Sequence, residues 1–190
     1  MKKTYWVMLI VLVYVVWCIY NFLSGLQTEV YHGRFIDENA NQPLVGAVVT
    51  VVWYRAPIIQ MGGSKYFLSA QETVTDADGQ FSLEVSPGLD WDWSTARIKE
   101  PAIIFYYPGY EPNSPDWMIR QGYRRDRGNL RDALKSGYVV KLRKLRTQEE
   151  LRQYADTGYL PLIRVPSWAM PKLLAAINEQ RKLLGLDTFN

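Results

Sequence analysis

Apolar and polar positions along the chain fall into three regimes. From Tyr5 to Leu23 almost every residue is apolar, and no charge occurs between Lys3 and Glu29. From Glu29 to Leu145 the apolar positions come in short runs broken by Gly, Pro, Asn and Asp. From Thr147 onward they recur at helical spacing. The first pattern predicts a membrane helix, the second a set of strands and the third a helical tail.

The middle regime carries most of the information. Residues 29–37 predict a first strand, with imperfect alternation between Val30, His32, Arg34, Ile36 and Tyr31, Gly33, Phe35. Ala47 to Tyr54 is a continuous β-branched run, as expected of a strand covered on both faces. Lys65 to Thr75 predicts another strand, and Asp76-Ala77-Asp78-Gly79 a tight turn in which Gly79 takes a positive φ. Asp76 is expected to accept hydrogen bonds from turn amides. Phe81, Leu83 and Val85 then alternate with Gln80, Ser82, Glu84 and Ser86, the period-2 signal of a half-buried strand. Further strands are expected at 102–107 and 137–145. Short strands with Gly/Pro punctuation and no long helix between them argue for an antiparallel sandwich.

These residues carry a resemblance. Gly33-x-Phe35-x-Asp37, Leu44-x-Gly46-Ala47-x-Val49-x-Val51, Thr75-Asp76-x-x-Gly79-x-Phe81-x-Leu83 and Pro108-Gly109-Tyr110 together resemble the carboxypeptidase regulatory-like domain. The resemblance covers roughly Val30 to Leu145, with an insertion at 113–136. It implies an all-β fold, a transthyretin-like seven-stranded Greek-key sandwich. It also implies a structural and binding module without catalytic residues, so no peptidase activity is expected.

The flanks complete the organisation. About 20 apolar residues in a helix rise ~30 Å, enough to cross a bilayer. Tyr5 and Trp6 at one end and Trp17, Tyr20 and Phe22 at the other suit the two interfaces. Lys2 and Lys3 are expected to stay in the cytoplasm, placing the main domain outside, in a periplasm-like compartment. The competing reading is a cleaved signal peptide, but no small-x-small site follows the apolar run. The chain thus divides into a stub, anchor and leash at 1–28, a sandwich at 29–146 and a tail at 147–190. In the tail, Thr147-Gln148-Glu149-Glu150 predicts a capping box. A second helix is expected from about Pro171 to Gly185, with Leu173, Leu174, Ile177 and Leu184 as its apolar stripe. That stripe packs either on the sandwich or on a partner, and self-packing is preferred because an exposed apolar stripe is a liability.

Charge and chemistry narrow the function. Net charge is +3, and with Lys2 and Lys3 set aside 20 Lys/Arg face 19 Asp/Glu, which argues against a nucleic-acid binder. The chain has one His and one Cys, so neither a two-histidine metal site nor an internal disulfide is available. Asp76-x-Asp78-Gly79 opens like a calcium loop, but Pro87 stands where the closing Glu belongs. No metal, cofactor or catalytic residue is expected. Two surfaces remain as candidates. Trp91, Trp93 and Trp117 beside acidic residues offer a platform for a protein partner or a glycan. Ten Lys/Arg stand against two acids between Arg120 and Arg146, and Arg120, Arg124, Arg125, Arg127 and Arg131 are the candidates for an anionic-surface contact. The plainer reading pairs these arginines with acids elsewhere in the chain. The sequence therefore predicts a non-enzymatic single-pass protein, with the bilayer at residues 5–23 and a protein partner for its sandwich. A cell-envelope carbohydrate binder is the alternative.

Overall fold

A computed structural model describes residues 2–25, 28–56, 66–86, 97–98, 101–113, 128–155 and 165–189, with the side chains at 2–4, 18, 21–25, 56, 97–98 and 128–129 outside that description. The chain begins with a helix, α1 (Lys2–Gly25). The strands are β1 (Glu29–Asp37), β2 (Val48–Ala56), β3 (Tyr66–Val74), β4 (Gln80–Val85), β5 (Arg97–Ile98), β6 (Ala102–Tyr106) and β7 (Tyr138–Leu142). Helix α2 (Gly128–Lys135) precedes β7, and α3 (Gln148–Gln153) and α4 (Pro171–Leu183) form the tail.

The strands make two small sheets that share a core. In one, β1 lies between β4 and β7. In the other, β2 lies between β3 on one side and β6 and β5 on the other. Tyr31, Phe35 and Phe81 from the first sheet meet Val49, Val51 and Phe105 from the second. The Phe35 and Phe105 rings cross edge-to-face at 5.1 Å. Gly33 makes room in β1, since a Cβ there would lie 2.5 Å from the Tyr138 carbonyl oxygen and 3.0 Å from the Phe81 ring.

One pairing departs from the antiparallel expectation. β7 runs parallel to β1, Gly33 opposite Tyr138 through Asp37 opposite Leu142. A parallel neighbour requires the chain to cross back over the sheet before entering it. Here that return ends in α2, whose Leu130 and Leu134 are buried in the shared core. Residue periodicity reports which face is covered, and says nothing of strand direction. The expected alternation itself is present in β4, where Phe81, Leu83 and Val85 are buried and their neighbours exposed.

β2 is buried on both faces. Val49, Val51 and Trp53 face the shared core. Val48, Val52 and Tyr54 face a second apolar cluster built from Met170, Leu173, Ala176 and Ile177 of the tail. The α4 stripe thus packs on the protein's own sheet. Its spacing of three and four residues turns one side of the helix to β2, and each fully buried Leu or Ile contributes roughly 2 kcal/mol. The fold is thus mostly strands in two small sheets, with helices added at its start, before β7 and in the tail. The capping box at Thr147 is formed: Glu150 N donates to Thr147 Oγ1 at 3.1 Å, and the Glu150 carboxylate accepts from the Thr147 amide at 3.3 Å.

At one end of the sheets a knot of hydrogen bonds joins both. Thr75 Oγ1 accepts from Ala47 N at 2.8 Å and donates to the Leu44 carbonyl at 2.5 Å. Phe35 N donates to the Gly79 carbonyl at 2.7 Å, and Leu44 N to the Phe35 carbonyl at 3.0 Å. Asp76 Oδ1 accepts from the amides of Asp78 and Gln80. Gly79 holds φ at +72° against the Phe35 carbonyl, which a Cβ would approach to 2.5 Å.

In α1 the described side chains from Tyr5 to Tyr20 are 45–71% exposed. Among the described residues no helix is long and apolar enough to cross a membrane.

The knot yields a paired prediction. Gly46 also has a positive φ, +80°, but nothing lies within 4 Å of an added Cβ. Gly46→Ala should therefore cost only the conformational penalty, about 1–2 kcal/mol. Gly79→Ala adds a clash with backbone and should cost about 3 kcal/mol or more. Urea unfolding of the full chain in detergent measures both. Equal losses would show that the close approach at Gly79 is relaxed without cost.

Candidate functional site

The knot fixes which strand ends lie together. β1 ends at Asp37 and β2 starts at Val48, both beside it, and each strand runs nine residues. At ~3.3 Å per residue both reach roughly 26 Å away. Glu29 and Ala56 therefore mark the opposite pole, which is also where the chain arrives from α1. β1 and β4 end there in the pair Glu29–Val85, and β2, β3 and β5 around Arg55, Tyr66 and Ile98.

On the outer flank of this pole sits an exposed aromatic group. Trp168, on a 3-10 turn at Ser167–Ala169, is 76% exposed and meets Phe67 edge-to-face at 6.1 Å. Tyr66 is 38% exposed beneath the Arg55 guanidinium, 6.0 Å from its ring centre. A groove of about 400 Å³ runs beside Trp168, between Ser167, Pro171, Leu174, Ala175 and Asn178.

Local sequence and one strand residue hold Trp168 in place. Pro166 precedes the turn at φ −65°, buried Met170 follows it, and Pro171 opens α4. Met170 provides no side-chain cap for α4. Glu72 of β3 supplies one instead: its Oε2 accepts from Lys172 N at 2.8 Å and its Oε1 from Leu173 N at 3.0 Å. Thr50 Oγ1 donates to the same Oε1 at 2.9 Å. A carboxylate at this end also complements the helix dipole. Neither this remote cap nor the exposure of Trp168 has a sequence signal, because both arise from packing of residues about 100 positions apart.

The sequence-derived candidates fare unevenly. Trp91, Trp93, Trp117, Arg120, Arg124, Arg125 and Arg127 lie outside the described residues. Asp76 and Gly79 sit in the turn of the knot. Arg131 is engaged within the fold: its Nε donates to Glu29 Oε2 at 2.8 Å, and its Nη2 bonds Glu29 Oε1. Lys135, one turn later on α2, reaches the same carboxylate at 2.7 Å, and Tyr31 OH donates to it at 3.0 Å. Burial alone would raise the Glu29 pKa. The three donors outweigh it and hold the carboxyl down at about 2. Burial, then the bond to Glu29, pushes the Tyr31 phenol up.

Other buried polar groups are likewise tied to the architecture. Asp37 accepts from the amides of Asn39 and Ala40 and from Tyr110 OH, each at 2.8 Å. The Ala40 amide does most to lower its pKa, against burial. Burial, then the bond to Asp37, pushes Tyr110 up to about 12. Buried Glu111 accepts from Arg143 Nε at 3.0 Å, and Arg143 Nη1 reaches Glu150 of α3 at 2.9 Å. Gln180 of α4 uses both ends of its amide. Its Oε1 accepts from Tyr106 OH and Gly109 N, both at 3.0 Å, and its Nε2 donates to the Leu151 carbonyl at 2.8 Å. Among the described residues no group of three or more His, Cys, Asp or Glu side chains is placed to hold a metal ion.

No protein-family model matches the chain, and no curated protein matches it. Among solved structures it is similar to a 9R-lipoxygenase from Cyanothece PCC8801 at 18% identity and a TM-score of 0.23, over 42% of this chain and 10% of that one. It is also similar to the shaft pilin spaA from Lactobacillus rhamnosus GG at 14% identity and a TM-score of 0.29, over 64% of this chain and 52% of the pilin. The chain thus spans a tenth and about half of these two.

The Glu29 cluster gives a pH prediction. A carboxyl held near 2 rather than its ordinary 4.5 adds stability that is fully present above 4.5 and is lost as pH falls toward 2. Glu29→Gln should remove that part of the acid slope in urea-unfolding midpoints. At neutral pH it should cost about 1–3 kcal/mol by leaving Arg131 and Lys135 without their carboxylate. An unchanged acid slope in the variant would assign the acid sensitivity to other groups.

Proposed function

We propose that the chain is a non-enzymatic, single-pass membrane protein. Its sandwich, of transthyretin-like Greek-key type, stands outside the cytoplasm and scaffolds a membrane complex through protein contacts. The observation that carries this reading is α1. It contains the almost wholly apolar run from Tyr5 to Leu23, which as a helix rises ~30 Å. After Lys3 it holds no charged residue. Its described side chains are apolar in nearly every direction and exposed. A helix apolar all round is stable only when something apolar surrounds it, and in a chain whose sandwich has its own core, lipid is that surrounding. Lys2 and Lys3 favour a cytoplasmic start.

Two observations support the non-catalytic half of the reading. Among the described residues the buried carboxylates Asp37 and Glu111 serve turns and the tail. The short motifs shared with the regulatory-like domain fall on the turns and core positions that build the two sheets, Gly33, Phe35, Ala47, Thr75, Gly79 and Phe81.

The test is membrane extraction. The chain should stay with membranes in alkaline carbonate and leave them only in detergent. Val11→Arg with Val15→Arg adds two charges to the helix centre at about 2.5–3.5 kcal/mol each on insertion scales, and should abolish stable insertion. Release of the wild-type chain by carbonate would sink the proposal. Crosslinking followed by gentle extraction should then recover a discrete complex, and a monomer alone would remove the scaffolding half.

A further inference from the structure

We infer that Trp168 is an interfacial anchor, seating the outer flank of the sandwich on the headgroup layer of the same bilayer that α1 enters. This rests on the reading of α1 as a membrane helix. It adds which face of the domain meets the lipid, and through which residue.

The argument starts from the leash. Four peptide steps separate Gly25 from Glu29, a reach of at most roughly 14 Å. Glu29 belongs to the pole opposite the hydrogen-bonded knot, so that pole is held beside the membrane and the knot is held away from it. Trp168 lies on this membrane-side pole, because it packs on Phe67, whose strand partner Tyr54 is two residues from the end of β2. The exposed rings Tyr66 and Trp168 therefore stand on the side toward which the leash pulls the domain.

The chemistry of the patch fits that layer. An indole has an apolar body and one N–H donor, which suits the boundary between acyl chains and headgroups. Trp168 leaves 76% of its surface uncovered by protein, beside an apolar cluster that Met170 and Leu173 of the same segment enter. Pro166, Pro171 and the Glu72 cap on α4 restrain the backbone of the turn, so little backbone freedom is lost on contact. The groove along Pro171, Leu174 and Ala175 continues the apolar surface away from the ring.

The experiment uses the full chain in nanodiscs. In a Cys18→Ala background a fluorophore is attached at Ser167→Cys, beside the indole, and separately at Val45→Cys, an exposed site at the knot. The nanodisc lipid carries its nitroxide just below the headgroup. Quenching at 167 should be several-fold above that at 45, with blue-shifted emission, and Trp168→Ala should bring it down toward the level at 45. Trp168 is largely exposed, so this variant is expected to fold, and an unchanged melting temperature confirms it. Equal quenching at 167 and 45, or quenching at 167 that survives Trp168→Ala, overturns the inference. A separate arm treats the wild-type chain with a membrane-impermeant maleimide. Shielding of Cys18 there alongside a negative result at 167 means that the tether stands and the anchor falls. Free reaction of Cys18 means that the membrane reading itself has failed, and the anchor with it.

Discussion

The structure depends on one hydroxyl. Thr75 Oγ1 bridges the Ala47 amide and the Leu44 carbonyl, and its own amide and carbonyl pair with Ala47 and Gly46. The turn before β2 is thereby bound to the turn between β3 and β4. Phe35 adds β1 to the same point through its bonds with Gly79 and Leu44. These bonds are fully or partly buried, where an unmade partner costs about 1–3 kcal/mol, so the register of the two sheets has little freedom to slip. Phe35 can then pack beside Phe81 in its own sheet and edge-to-face on Phe105 across the interface. A knot at one end of a sandwich also defines the other end, where the pairs Glu29–Val85 and Arg55–Tyr66 lie.

A second constraint comes from β2. A strand covered on both faces needs a partner layer on each. One is the sheet built on β1. The other is α4, and so the tail completes the fold of the strands. Gln180 binds this layer down by joining Tyr106, Gly109 and Leu151. The chain of buried Glu111, Arg143 and Glu150 ties α3 to the strands in the same way. Both devices place a polar group where burial would otherwise be costly and satisfy it from two elements distant in sequence.

This explains what could be read from the residues and what could not. β4 was legible because alternation reports a half-buried face directly, as in Phe81, Leu83 and Val85, whereas β1 shows it only imperfectly. The turn at Asp76 and Gly79 was legible because carboxylate capping and positive φ are local demands. The double burial of β2 was legible as a β-branched run, though what covered its outer face was a choice between the tail and a partner. The parallel sense of β1 and β7 was not, since periodicity carries no direction. Nor was the role of Glu72, because its partners are the amides of Lys172 and Leu173 and backbone groups look alike in any sequence. Among the site candidates, Arg131 read as one of a basic cluster and proved to be the mate of Glu29, a pairing set by α2 crossing β1.

The two poles consequently divide the labour of the domain. At the knot the described turns are closed on themselves. Asp37, Thr75 and Asp76 each satisfy several backbone groups, and Gly79 admits no side chain. A surface so occupied has little left to offer a ligand without losing the register of the sheets. The pole at Glu29 is built differently. Its internal bond, the Glu29 cluster, lies on the α2 side and leaves the β3 flank unconstrained by it. On that flank the described side chains are aromatic and partly exposed, held by a capped helix rather than by the sheet knot. Hydrogen bonds between the sheets are thus concentrated at the knot, and exposed aromatic surface near the opposite pole. Substitutions in the Tyr66–Trp168 flank leave the bonds of the knot in place, because none of those bonds involves a residue of that flank.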